Sequence, residues 1–466
     1  MSFIRRVRTA ERGSVLIQVA IALLAMTAFS ALVIDYGFMW VARGQTQNAA
    51  DMAAHAGAVS LMFDYDPTDA TTIAASEARA AAAATAVATK NSVVGEAPSG
   101  STVDVSMTDC VGDGFNDCVD VKVYRNAEKS NRLPVFFGNL LSGVGLGAKA
   151  RAVSRLEVGV GSDCLAPFAV PDKWTERQKR DKKDDKKSQW KFKDVKDAKW
   201  DKKATFEKYC ENPDSYACLP QGSPQVAYHD LFADADQDTY TSPGSSGSGT
   251  GYKFQNPNSD YGAKLDLDDA STDPQLAGAD PATASLYVPI DFSGTGDTTV
   301  YSNAIGTCSG MMVLLGDTVA AFNPWKSLAA ATDTAIDALV ASDSKAKWDN
   351  KKVRPGITGS CAQASSPCAT AKNGLSPRVL QLPLYDPTIF EDCRLGKGAC
   401  AGSPQVRLKI TNIVGCFAEG SKKAGGVKCT LMPFEAVTCS QAKKKGKVTC
   451  PPTSFDSFLR SVGMYQ

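Results

Sequence analysis

From Val15 to Ile34 the chain runs for twenty residues without a charge, a proline or a glycine. No other feature of the sequence restricts the fold as strongly. A helix rises about 1.5 Å per residue, so a run of this length matches the roughly 30 Å hydrocarbon core of a bilayer. Arg5, Arg6, Arg8 and Arg12 precede the run, and the first basic residue after it is Arg43. Basic residues collect on the cytoplasmic side of a span, which predicts a cytoplasmic N-terminus and an exported remainder. The competing reading is a cleaved signal peptide with a cut near Ser30. Leu32, Val33 and Ile34 carry the apolar run past the usual length of such a peptide, which favours a retained anchor.

Helical patterning continues beyond the span. Asp35 and Tyr36 mark the expected outer interface, and Trp40 follows one turn on. The segment 45–61 then sets Ala50, Ala53, Ala54, Gly57, Ala58 and Leu61 on one helical face. Small residues at this spacing let two backbones approach closely. A continuous helix from Val15 to Leu61 is about 70 Å long. The expectation is a stalk standing clear of the bilayer, with Asn48, Ala50, Asp51, Ala54, Gly57 and Ala58 as its packing residues.

Arg12-Gly13-Ser14-Val15, the span, Asp35-Tyr36-Gly37, Ala42-Arg43, and Gln47-Asn48-Ala49-Ala50-Asp51 through Ala56-Gly57-Ala58 together resemble the N-terminal module of TadE/TadG-like Flp pilus-assembly proteins. The resemblance implies a single-pass protein of the tight-adherence machinery in the bacterial inner membrane, built on a pilin-like helix. Its implied partners are that membrane and other pilin-like helices or the Tad secretion platform. Pilins and pseudopilins carry a glutamate five residues after the glycine at which their leader is cut. Counted from Gly13, that position is the neutral Gln18. The expectation is therefore the TadG-like branch, with Gly13 not used for processing and the N-terminal residues kept.

Fourteen cysteines all follow the span. Twelve fall into close pairs: Cys110 with Cys118, Cys210 with Cys218, Cys361 with Cys368, Cys393 with Cys400, Cys416 with Cys429, and Cys439 with Cys450. Cys164 and Cys308 are left to join at long range. An even count in an exported compartment reads as disulfides. No two cysteines stand in C-x2-C spacing and neither histidine lies near a pair, so zinc is disfavoured.

The fold class expected is α+β: a pilin-like transmembrane and stalk helix followed by disulfide-rich, mostly β exported domains. Residues 1–61 form the tail, span and stalk. Residues 62–160 read as a small α+β domain, with an alanine-rich helix over 71–90 stopping at Asn91. Alternating strands follow over 102–107 and 118–124, joined by a turn at Gly112-Asp113-Gly114, with further strand-like runs at 133–137 and 148–158. Residues 161–219 read as a charged insertion. Between Asp172 and Lys208, fifteen Lys/Arg stand against nine Asp/Glu, interleaved with Trp174, Trp190, Phe192, Trp200 and Phe206. A basic-aromatic patch for anionic surfaces is one reading. The interspersed acids favour a solvated, ion-pair-laced segment instead. Residues 220–466 read as a second, mostly β domain: loop-dominated to 285, strand-like around 287–290 and 311–315, helical over 328–342, then strands at 379–384, 406–414 and 431–437. Pro171-Asp172-Lys173-Trp174 and Pro383-Leu384-Tyr385-Asp386 resemble the exported region of longer TadG-like proteins.

Signals for catalysis are few. His55 lies on the stalk, and His229 adjoins Asp230, but sequence neighbours need not meet as a dyad. Gly244-Ser245-Ser246-Gly247-Ser248 lacks the last glycine of a nucleophile elbow, and Gly143-Val144-Gly145-Leu146-Gly147 has the wrong spacing for a dinucleotide turn. Asp234, Asp236 and Asp238 open like a calcium loop, yet Thr239 and Ser245 replace its glycine and its bidentate glutamate. Asp104-Val105-Ser106-Met107-Thr108 matches a D-x-S-x-[ST] metal motif that needs a following helix, where a hairpin is expected. No cofactor is expected. The net charge of +1 gives no field for nucleic acid. These observations predict a non-enzymatic accessory protein of pilus assembly or surface adhesion that acts by packing. The alternative is an anchored hydrolase or ligand-binding, calcium-binding included, envelope protein.

Overall fold

Helix α1 (Arg12–Asp64) is continuous through the apolar run and the alanine-rich segment. The computed structural model describes residues 12–65, 70–112, 114–134, 147–175, 206, 238–243, 249–254, 259–269, 282–322, 328–350, 356–361, 376–394, 407–446, 449 and 458–465. The chain divides into two units. The first comprises residues 1–65, 71–156 and 462–466, the second residues 66–70 and 157–461.

In the first unit α1 is joined by α2 (Ala70–Ala88). Beside the helices lie strands β1 (Val103–Thr108), β2 (Cys118–Arg125) and β3 (Ala148–Val158), antiparallel in that order. Val119, Val121 and Val123 alternate along β2 toward the helices, as period-two patterning requires. On the helices the matching residues are mostly alanine: Ala49, Ala50, Ala53, Ala54 and Ala58 of α1, and Ala80, Ala84 and Ala88 of α2, all fully buried. Helix α2 ends at Ala88, two residues short of the expected Lys90, and the Asn91 side chain donates to the Val87 carbonyl at 2.8 Å. Gly112 and Gly114 turn the β1–β2 connection with positive φ, and Cys110–Cys118 closes it at the loop end. The last strand of the chain (Leu459–Tyr465) gives Val462 to this core, and Gly463 accepts a hydrogen bond from Ser154.

The second unit is a closed barrel. Its six strands are β5 (Phe168–Pro171), β6 (Lys264–Asp269), β7 (Leu286–Pro289), β12 (Val379–Tyr385), β13 (Arg407–Lys423) and β14 (Gly426–Met432). They follow one another as β12-β5-β7-β6-β14-β13, and β13 pairs back onto β12. The β12–β5 and β6–β7 pairings are parallel, the others antiparallel. Closure leaves no unpaired edge among these six strands. Every second residue points inward: Phe168 and Val170, Leu265 and Leu267, Tyr287, then Leu380, Leu382 and Leu384, with Val414, Cys416 and Ala418, and Val427, Cys429 and Leu431. The Cys416–Cys429 disulfide crosses this interior between adjacent strands.

Shorter elements dress the barrel. They are the pairs β4 (Gly161–Ser162) with β8 (Val313–Leu314) and β10 (Lys347–Asp349) with β11 (Gly356–Thr358), β9 (Thr318–Ala320) on β13, and β15 (Phe434–Glu435) beside Leu459 and Arg460. Helices α3 (Thr298–Gly306), α4 (Ala329–Ser342), α5 (Pro387–Arg394) and α6 (Cys439–Lys444) lie in the same unit. Tyr301 and Ile305 of α3 and Ile336 and Leu339 of α4 join the barrel core. Cys164–Cys308 joins positions 144 apart in sequence, as expected. Cys361, Cys393 and Cys439 are also disulfide-bonded. Cys210, Cys218, Cys368, Cys400 and Cys450 lie outside the described residues, as do most of the charged insertion and the 135–137 part of the run at 133–137.

Candidate functional site

The small-residue face of α1 is occupied by the chain itself. Ala50, Ala54, Gly57 and Ala58 are buried within the first unit, so this face is not left open for a partner helix. Gly57 shows how close the approach is. A Cβ there would stand 2.8 Å from Val119 Cγ1, 3.3 Å from the Ala80 carbonyl oxygen and 3.3 Å from Ala84 Cβ. Asn48 lies on the exposed side and Asp51 is half-buried. These alanines and Gly57 face water-excluded protein, where burial of apolar surface drives packing.

Polar members of the same block fasten the helix. Gln47 Nε2 donates to Asp51 Oδ1 at 2.7 Å and to the Arg151 carbonyl of β3 at 3.3 Å. Gln45 Oε1 accepts from the Val94 amide at 2.7 Å. Thr46 is buried and donates to the Ala42 carbonyl at 2.6 Å. Sequence reasoning missed Gln45 and Gln47 as docking residues. Their place beside the alanine face was the available signal.

Toward the N-terminus the same helix changes character. Leu16, Ile17, Leu23, Leu24, Met26 and Phe29 are all exposed, and Gln18 lies among them. Gly13 is helical. Within the described residues this is the one helix long and apolar enough to cross a membrane.

In the second unit the structure brings together the two motifs that contain Asp172 and Asp386. Strands β5 and β12 run parallel, pairing Val170 with Leu384 and Pro171 with Tyr385, so both motifs finish at the same end of the barrel. The Asp172 amide donates to the Tyr385 carbonyl at 2.9 Å. The Asp172 carboxylate is fully buried. It accepts from the amides of Lys173 and Tyr252, both at 2.9 Å, and from Tyr240 Oη at 2.8 Å. Burial pushes Asp172 up to about 7 against the pull of those donors and of Asn412. Gly251 is obligatory beside it, since a Cβ would fall 2.3 Å from Asp172 Oδ2. Lys173 Nζ pairs with Asp260 at 2.8 Å, and Asp260 accepts from the Lys253 amide, so Asp260 ties Lys173 to Lys253. Asp386 caps α5, accepting from the amides of Thr388 and Ile389, and burial likewise raises it. The oxygens of Asp172 are engaged by donors from three segments; the arrangement holds the barrel end together.

The remaining candidates scatter. Asp104 lies exposed on β1, paired with Lys129 at 2.7 Å, and β2 follows as a hairpin, without the helix its metal motif requires. His55 is half-buried on α1. Asp238 is buried, whereas His229, Asp230, Asp234 and Asp236 lie outside the described residues. Cys110, Asp117 and Cys118 cluster closely enough for a metal, but the two sulfurs are bonded to each other.

Residues 13–60 match the Flp pilus-assembly TadE/G-like family. No curated protein and no solved structure matches the chain. The matched segment coincides with α1: its first half is the apolar run and its second the face closed by α2 and β2.

Proposed function

We propose that this chain, with its TadE/G-like module at residues 13–60, is a single-pass accessory protein of the TadG-like branch in Flp pilus assembly or surface adhesion. Helix α1 is its anchor in the inner membrane, the N-terminus stays in the cytoplasm, and the barrel unit is exported. The observation that carries this reading is the exposure of Leu16, Leu23, Leu24, Met26 and Phe29 around α1, N-terminal to the face that begins to close at Ala31 and is fully buried from Ala42. Such a surface is stable in lipid and costly in water. The disulfides of the second unit fit an oxidising compartment. Its work is done by packing against pilin-like helices or the secretion platform. Because the small-residue face of α1 is closed, partners meet the open side of the helix or the exported surface.

A reporter active only outside the cytoplasm, fused after Gln466, tests the topology and is expected to be active. Co-purification from mildly solubilised membranes is expected to recover other Flp machinery. A fusion active only in the cytoplasm, or recovery with no component of that machinery, contradicts the proposal.

A further inference from the structure

We infer that the stretch Ala31–Val41 of α1 is a seat in the outer membrane interface, with lipid on one side of the helix and the chain's own polypeptide on the other. This rests on the anchoring reading above and replaces a free-standing stalk. Ala31 and Asp35 are 7% and 8% exposed, and Ala42 and Thr46 are fully buried. Steps of four and seven residues place all four on one helical face. The chain therefore covers this face beginning inside the apolar run, three residues before Ile34.

The opposite side stays open and apolar over the same turns. Leu32, Val33, Ile34, Tyr36, Trp40 and Val41 are each half or more exposed. Tyr36 and Trp40 lie edge to face with ring centroids 6.2 Å apart. Both rings have an apolar body and a polar tip, the combination enriched at headgroup level. Directly after Val41 the open side turns polar, with Arg43, Gln47 and Asn48 exposed. The change marks where water begins. Val15 to Val41 spans about 40 Å as a helix, close to the roughly 40–45 Å of a bilayer with its headgroup layers. Asp35 fits the same division. Its carboxylate lies on the covered face, away from the lipid side, where a charge is costly.

The occupant of the open side is thus the bilayer itself, through continuity with the span. Nitroxide labels at Leu24→Cys, Trp40→Cys, Val41→Cys and Asn48→Cys, one at a time in the full chain in phosphatidylcholine nanodiscs, test this. The described cysteines are all bonded and do not compete for label. Collision with oxygen relative to a water-soluble nickel chelate is expected to be several-fold higher at positions 40 and 41 than at 48, and highest at 24. If 24 reads as lipid while 40 and 41 match 48, the interfacial seat is wrong and the anchor stands. If 24 also reads as water, both fail. If the label at 40 shows spin–spin broadening that disappears on dilution with unlabelled protein, a second copy covers this side and the lipid assignment is overturned.

Discussion

Between Val15 and Ile34, α1 is exposed on every side except at Ala31. Between Ala42 and Leu61 the same unbroken helix has one face closed completely, with Ala42, Thr46, Ala49, Ala50, Ala53, Ala54, Ala58 and Leu61 at zero exposure. The residue types differ as much as the exposure. Large apolar side chains surround the first half, a surface suited to lipid, which accepts any shape. Alanine and Gly57 line the second because α2 and β2 must come close. Small residues of this kind are familiar as helix–helix contacts inside membranes, where packing is the main driving force. Here they lie beyond the span and are used within one chain, so a small-residue stripe specifies closeness of approach and leaves the partner open.

Three changes would break or sharpen this contrast. The largest effect is expected in the first half: replacing Leu23 and Leu24 together by arginine costs about 2.5–3.5 kcal/mol for each charge near a span centre. Alkaline carbonate extraction should then release the protein from membranes, while unfolding of the first unit in detergent stays as in the parent.

A second effect lies outside the helix and bounds the comparison. Asp172 has a folded pKa of about 7, above the ordinary carboxyl value of 3.8. Its contribution to stability is therefore present below about 4 and lost as pH rises through about 7. Across that window the second unit should lose on the order of a few kcal/mol from this group. Asp172→Asn should flatten the slope, leaving a smaller decline in the same direction from Asp386, which burial also raises. Chemical denaturation of the parent and variant at several pH values measures this; equal slopes would refute it.

The smallest effect is in the second half of α1. Gly57→Leu should destabilise the first unit by about 1–3 kcal/mol through overpacking, whereas Gly44, with nothing within 4 Å of its would-be Cβ, provides the control. Gly44→Ala should be stabilising by about 0.5–1 kcal/mol. Thermal melts of both variants decide whether closeness of approach is the cause.

Much of the first unit was legible in the sequence because its signals are local. An uninterrupted apolar run, an alanine-rich helix ending at Ala88, and two alternating strands joined by Gly112 and Gly114 with Cys110–Cys118 need no distant information. The barrel was less legible. Strand β5 has only four residues, and β13 was readable to Val414, after which Gly415, Gly420 and the lysines at 422 and 423 obscure a strand that continues to Lys423 without alternation between buried and exposed residues. Helix α3 is rich in β-branched and aromatic residues, Thr298, Thr299, Val300, Tyr301 and Ile305, whose propensity does not favour a helix. Capping by Asp297, which accepts from the Thr299 amide at 2.7 Å, and burial of Tyr301 and Ile305 override that propensity. Closure of β13 onto β12 is set by contacts far apart in sequence. For the candidate site, the sequence located the small face of α1 and the motifs at Asp172 and Asp386. That the first is filled from within, and that the other two end together, follows from tertiary pairing alone.

The central claim is that the outer half of α1 is a fixed part of the first unit. Hydrogen–deuterium exchange of the full chain in nanodiscs tests it most directly, because exchange reports which segments open together. Peptides covering Thr46–Leu61 are expected to be protected as strongly as those covering Cys118–Arg125, without any added partner, and both are expected to lose protection in parallel in Gly57→Leu. Protection of Thr46–Leu61 that survives Gly57→Leu while Cys118–Arg125 is exposed, or that requires another pilus component, would contradict the account.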